Sequence, residues 1–142
     1  MASTESEIRE SLDRRSEAAW DKDLDRLMSL YAPEVVYFDV VPPLRYVGAD
    51  ALRERFRHWF TLWDGPIGQQ LGDLTVMAGG EFAAAYMLVR ASGTLKIGRE
   101  VGYWIRVTDC FRRSAGGWLV THEHVSLPVD VQSGTVVMDL VP

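Results

Sequence analysis

The apolar residues of this chain change their spacing near residue 65, and that change restricts the fold more than any other feature. Leu52, Phe56, Trp59, Phe60 and Trp63 fall at i, i+4, i+7, i+8 and i+11, a continuous stripe down one side of a helix. Asp64-Gly65-Pro66 ends that helix. Beyond it the pattern becomes strand-like runs cut by glycine: Gln69 to Met77, Glu81 to Gly93, Arg99 to Arg113 and Trp118 to Leu127. Ala78-Gly79-Gly80 and Ser114-Ala115-Gly116-Gly117 supply turn chemistry between them. Four neighbouring strands joined this way form an antiparallel meander. Helices first and strands afterwards is the α+β signature, a bent sheet with the helices covering one face.

Earlier in the chain, Thr4 and Glu7 read as a capping box opening a first helix. Its apolar positions Ile8, Leu12 and Ala19 give a thin stripe, so most of its surface is expected in solvent. In DKDLDRLMSLYA, Leu24, Leu27, Met28 and Tyr31 stand at i, i+3, i+4 and i+7, a second helix that Pro33 stops. Val35 to Phe38 is β-branched and aromatic, and the prolines of VVPPLRY interrupt it, which gives two short strands around a turn. Gly48-Ala49-Asp50 leads into the third helix. The segment Val129 to Pro142 is apolar with Gly134 inside it, and reads as a tail that adds an edge strand or covers a partner subunit.

The 142 residues suit one domain, residues 1–142, with a sizeable core. A hydrophobic share of 47% and a charged share of 25% exclude disorder. The formal net charge is −5 and the basic residues are dispersed, so a phosphate backbone finds no positive stripe and an anionic membrane no basic patch. MASTESEIRESLDRR lacks the apolar stretch of a signal peptide. The expectation is a cytoplasmic protein without nucleic-acid or membrane partners. Cys110 is the one cysteine, which rules out an internal disulfide and a cysteine-rich zinc site; without a Cys-His signature beside it, it reads as core filling.

Candidate chemistry concentrates in three places. On the last strand, strict alternation puts Trp118, Val120, His122, His124 and Ser126 on one face and Leu119, Thr121, Glu123 and Val125 on the other. Two histidines and a serine in a row suggest a polar lining, because three such groups in a core would each need a partner. No third ligand lies nearby, so no metal is expected. On the preceding strand Trp104, Arg106, Thr108 and Cys110 share a face, opposite Tyr103, Ile105, Val107, Asp109 and Phe111; an arginine there must meet a carboxylate or a ligand anion. Asp39 sits between an aromatic run and a Pro-Pro turn, either as a turn residue or as an acid at the mouth of an apolar cup. Five tryptophans and five tyrosines could wall a cavity for a planar ligand. A Gly-rich phosphate loop, a Gly-x-Ser-x-Gly elbow and His-Glu-x-x-His are all missing, which leaves side-chain chemistry without a cofactor.

Three segments in order, DLDRLMSLYAPEVVYFDVVPPLRYVGADALRERF, WIRVTDCFRR and GWLVTHEHVSLP, resemble the SnoaL-like and ketosteroid-isomerase-like branch of the nuclear-transport-factor-2 superfamily. The resemblance spans Asp21 to Pro128 and implies a cone-shaped, cystatin-like roll with an internal pocket, dimerising through the outer face of its sheet. It implies an isomerase, cyclase or dehydratase acting on an apolar, carbonyl-bearing metabolite, polyketide-like in the SnoaL case. Asp39 in YFDVVPP resembles the carboxylate that moves the proton in ketosteroid isomerases. The first helix carries Trp20 where those enzymes use a tyrosine, so steroid isomerisation itself is not implied. SnoaL-type cyclases carry an aspartate on the last strand where this chain has Ser126, which passes the acid/base duty to His124 or Asp39. The resulting expectation is Asp39, Arg106 and His124 as catalytic residues. Trp20, Tyr31, Tyr46, Trp59, Trp63, Tyr86, Trp104, Thr108 and His122 are then expected around the substrate. The same last strand also resembles the association domain of calmodulin-dependent kinases, a noncatalytic ligand-binding or assembly module, and that is the alternative.

Overall fold

A computed structural model describes residues 3–142. Helix α1 (Thr4–Asp21) and the single turn and a half of α2 (Leu24–Met28) precede strands β1 (Tyr31–Phe38) and β2 (Tyr46–Val47). Helix α3 (Ala49–Thr61) follows, and then the meander β3 (Trp63–Gly79), β4 (Phe82–Leu95), β5 (Glu100–Ser114) and β6 (Gly117–Ser126). The main sheet runs β2-β1-β6-β5-β4-β3. Every pair is antiparallel except β1 with β6, which run parallel with Tyr37 opposite Glu123. The architecture is the expected α+β roll: a curved, mostly antiparallel sheet closed over the N-terminal helices.

Local chemistry explains where the elements depart from expectation. The cap of α1 is Ser3, whose hydroxyl accepts from the Ser6 amide at 3.1 Å. Glu7 is free to reach across to the Trp118 indole N–H at 3.0 Å, so the Thr4–Glu7 capping box is not formed. Helix α2 ends at Met28, not at Pro33, because the chain is already committed to the sheet: the Val120 amide donates to the Leu30 carbonyl at 2.9 Å, and Tyr31 faces Val120. Pro33 then lies inside β1, in the irregular stretch between Tyr31 and Val36 where the ladder with β6 is interrupted, so its missing N–H costs no bond. The tail forms its own hairpin, β7 (Val129–Asp130) with β8 (Thr135–Val136), and does not extend the main sheet.

The core lies between the concave face of the sheet and one stripe from each long helix. Ile8 and Leu12 of α1, Leu52 and Phe56 of α3, and Val35, Ile67, Phe111 and Val120 of the strands are all buried. Phe56 touches both Tyr31 and Tyr37, each with ring centroids 5.5 Å away, which fastens α3 to β1.

One backbone crossing matters for the interior. A Cβ placed on Gly93 of β4 would stand 2.8 Å from Cε3 of Trp63 and 3.0 Å from the Pro66 carbonyl oxygen. Only glycine lets Trp63 lie this deep. Gly93→Ala is expected to lower stability by about 1–3 kcal/mol through overpacking and to shift the tryptophan emission as Trp63 is displaced. Thermal melts and emission spectra read both, and an unchanged melting temperature would show the crossing to be looser than described.

Candidate active site

The sheet and the helices enclose a cavity of about 250 Å³, just below the ~300–1,000 Å³ usual for ligand pockets. Much of its wall is apolar, supplied by Leu71, Val89, Ala91, Ile105, Val107 and Val125 from the strands and by Leu27, Phe56 and Trp59 from the helices. Two charged centres interrupt that wall.

The first is an ion pair at the end of β1. Arg55 Nε donates to Asp39 Oδ2 at 2.6 Å, and the Val40 amide donates to Asp39 Oδ1 at 2.7 Å. The two side chains are 6% and 13% exposed, so a carboxylate and a guanidinium stand together in a largely dry wall. Asp39 reaches this place because Tyr37 opposes Glu123 on the concave face, and the pleat returns the chain to the same face two residues later.

The second centre is the floor. Arg15 of α1 enters the interior, where its Nη1 donates to Asp109 Oδ2 at 3.0 Å and also to Glu123 Oε2. The Tyr31 hydroxyl donates to Glu123 Oε1 at 2.6 Å. Asp109 and Glu123 are direct cross-strand neighbours on β5 and β6. Arg15, Tyr31 and Glu123 line the cavity, while Asp109 lies behind them, fully buried. Burial, reinforced by the neighbouring Glu123, pushes the Asp109 carboxyl well above the usual carboxylate range despite Arg15. Burial opposes the charge on Arg15, but Asp109 and Glu123 outweigh it and hold the guanidinium firmly protonated. Burial also raises the phenols of Tyr31, Tyr37 and Tyr103, so they present neutral O–H donors.

Of the residues singled out in the sequence, Asp39, Tyr31, Trp59 and Trp63 line this cavity. Tyr46 packs edge-on to Tyr37 with centroids 6.5 Å apart, one layer behind the wall. Trp20 is 57% exposed and points to solvent from the far side of α1. Arg106, Thr108 and Trp104 of β5, Tyr86 of β4, and His122 and His124 of β6 belong to the outer face of the sheet, not to the cavity. The reason for the histidines is a bulge. The β5–β6 register steps from Phe111 opposite Val120 to Cys110 opposite His122, so Thr121 is an extra residue and the alternation slips by one. Trp118 and Val120 face inward, then Glu123 and Val125 do. His122 Nδ1–H donates to the Val36 carbonyl at 2.7 Å, and Phe38 stacks edge-on against both histidines. Arg106 Nε donates to Ser126 Oγ at 3.0 Å on the exposed face, so it meets a hydroxyl where a carboxylate or ligand anion was expected. Cys110 is half-buried beside Asp109, and burial raises its thiol, the opposite of an activated nucleophile.

Sequence reading missed Arg15, Arg55 and Glu123. Among the described residues no cluster of side chains suits a metal ion, and no helix is long and apolar enough to cross a membrane. Arg106→Ala and His124→Ala are expected to leave affinity for any ligand of the cavity within about twofold, since neither side chain lines it. Parallel titrations of the two variants check this, and a large loss in either would move the site to the outer face.

The curved, mostly antiparallel sheet closed over N-terminal helices is the fold shared by solved NTF2-like and cystatin-like structures. A family profile for the SnoaL-like domain matches residues 8–130, and the chain belongs to that family. It is similar to an NTF2-like protein of unknown function from Pseudomonas putida KT2440, with 32% identity, TM-score 0.88, and 96% of this chain and 95% of that one covered. A candidate dehydratase of the NTF2-like family from Streptomyces avermitilis shares the fold at 19% identity and TM-score 0.78, covering 87% and 95%. So does a candidate calcium/calmodulin-dependent protein kinase II association domain from Xanthomonas campestris, at 20% identity and TM-score 0.78, covering 88% of each chain. None of the curated proteins compared matches the chain.

Proposed function

We propose that the protein is a cofactor-free enzyme that moves a proton on a small, largely apolar carbonyl compound held in the cavity. The observation that carries this reading is the Asp39–Arg55 pair, a carboxylate 6% and a guanidinium 13% exposed in the cavity wall. Keeping such a pair out of water is costly and rarely serves stability alone. Asp39 supplies the base. Arg55 spends Nε on Asp39, which leaves its terminal amino groups for a ligand oxygen, and the neutral Tyr37 phenol lines the same wall. Each such preorganised donor aimed at a developing oxyanion is worth ~10²–10³ in rate.

Met77, Phe82 and Tyr86 stand about half or more exposed on the outer face of β3 and β4, which favours a second use of the molecule, self-association through that face. A homodimer is compatible with the enzyme. Assembly as the sole function is not, because it asks nothing of the cavity.

Tryptophan fluorescence separates the two. Trp59 and Trp63 line the cavity, so titration with planar phenols and cyclic enones is expected to give saturable quenching that Trp59→Phe weakens. Flat titrations, with a stable oligomer, would reject the enzyme reading and leave assembly.

A further inference from the structure

We propose that the substrate is a small β-hydroxy carbonyl compound, and that Glu123, backed by Asp109, delivers the proton that lets its hydroxyl leave as water. The inference rests on the reading of Asp39 as the base. It starts from a charge count on the floor: two carboxyl groups, Asp109 and Glu123, share one guanidinium nitrogen, Arg15 Nη1. Fully ionised, they would leave a net negative charge buried at 0% and 4% exposure, so a proton must be shared. Asp109 Oδ1 is buried without a hydrogen-bond partner among the described residues, so nothing there stabilises a second negative charge. Asp109 is the direct cross-strand neighbour of Glu123, and burial, with the Glu123 charge beside it, favours its neutral form. Asp109 is therefore a positioning residue that keeps a proton within reach of Glu123, and Glu123 is the member that lines the cavity.

The groups that face this couple are Arg15 from α1 and Tyr31 and Tyr37 from β1, with Met87 of β4 at 3.8 Å from Arg15. Asp39 belongs to the same concave face. With Tyr37 opposite Glu123, two further residues along the parallel strand place the Asp39 backbone roughly 8 Å from that of Glu123. One centre takes a proton and the other holds one.

That division decides between reaction classes. An isomerisation needs one carboxylate, which removes a proton at one carbon and returns it at another. Loss of a β-hydroxyl also needs an acid, because hydroxide is a poor leaving group. In the proposed step Asp39 removes the α-proton, the C–H electron pair becomes the α,β double bond, the C–O bond breaks, and the oxygen departs with the proton of Glu123. Asp39 then loses its proton to solvent and the couple regains one, so the net change is loss of water.

The test uses 3-hydroxycyclohexanone in deuterium oxide, with elimination read by enone absorbance and α-proton removal by NMR. The wild type is expected to do both. Glu123→Gln is expected to keep α-exchange and lose elimination by ~10²-fold or more. Asp109→Asn, which removes the stored proton and the neighbouring acid, is expected to keep elimination at acid pH and move the basic limb of its pH profile down by about a unit or more. Elimination by Glu123→Gln at the wild-type rate would overturn the role of Glu123 while leaving Asp39 as base. Loss of both activities in a folded Glu123→Gln protein, or an unmoved basic limb in Asp109→Asn, would reduce the cluster to a structural support. A wild type that neither exchanges nor eliminates would instead remove the base reading on which the inference stands.

Discussion

Replacing Asp39 by asparagine is expected to lower turnover by ~10²–10⁴-fold, the usual worth of a positioned general base, while leaving the fold and the cavity intact. The amide has the shape of the carboxyl but a single acceptor oxygen, so it keeps one of the bonds that now run from Arg55 Nε at 2.6 Å and from the Val40 amide at 2.7 Å and gives up the other. What it cannot do is take a proton. Ligand affinity should therefore change little, because the apolar wall and the Arg55 terminal nitrogens remain. Arg55→Met differs: it leaves Asp39 buried without its partner and should damage both binding and stability. Melting curves and titrations of the two variants separate chemistry from architecture, and an Asp39→Asn protein with wild-type turnover would remove Asp39 from the mechanism.

The second large effect concerns stability. Arg15→Met is expected to destabilise the fold by about 3–5 kcal/mol, because it strands Asp109 and Glu123 together in the interior without a counter-ion. For a domain of this size the loss corresponds to roughly 10–20 °C in melting temperature. The pH dependence gives the loss a signature. Asp109 already titrates above its ordinary range in the folded protein, so the native state holds more protons than the unfolded chain over that interval. Its stability is then fullest at acid pH and falls as pH rises through the raised value. Removing Arg15 should steepen that fall, whereas Asp109→Asn, which cannot ionise, should flatten it. Adding Glu123→Gln to Arg15→Met should recover much of the stability. Thermal melts across pH decide the matter, and a pH-independent defect in Arg15→Met would place the effect in packing alone.

The fold was legible because its signals are long. The α3 stripe from Leu52 to Phe60, the last three glycine-cut runs and the order of elements appear at nearly the expected boundaries, whereas α3 stops at Thr61 and Trp63, read as helical, already opens β3 opposite Leu95, six residues before the expected start at Gln69. Asp39 was marked by standing just before a Pro-Pro turn. The floor of the site was not legible, for two physical reasons. Arg15 sits at a charged position of a polar helix, and nothing in its neighbours distinguishes it from Arg9 or Arg14, whose side chains are about half exposed in i,i+4 pairs. Its burial is set by strands ninety residues away. On β6, one extra residue at Thr121 reverses every later side chain, so a strand read with perfect alternation offers His122 and His124 to the cavity when Glu123 and Val125 occupy it. A usable signal existed one strand earlier. On β5, Tyr103, Ile105, Val107 and Phe111 form the more apolar face, which makes it the inner one, and Asp109 shares it.

The central claim is that Asp39 removes a proton from a carbon beside a carbonyl inside this cavity. Deuterium incorporation into such a ligand, followed by NMR in deuterium oxide, tests this without knowledge of the final product. For an aryl or cyclic ketone that saturates the fluorescence titration, the wild type should exchange the α-position rapidly, and Asp39→Asn should bind the same ketone without exchanging it. Exchange by Asp39→Asn at the wild-type rate, or none by the wild type with any ketone it binds, would contradict the account.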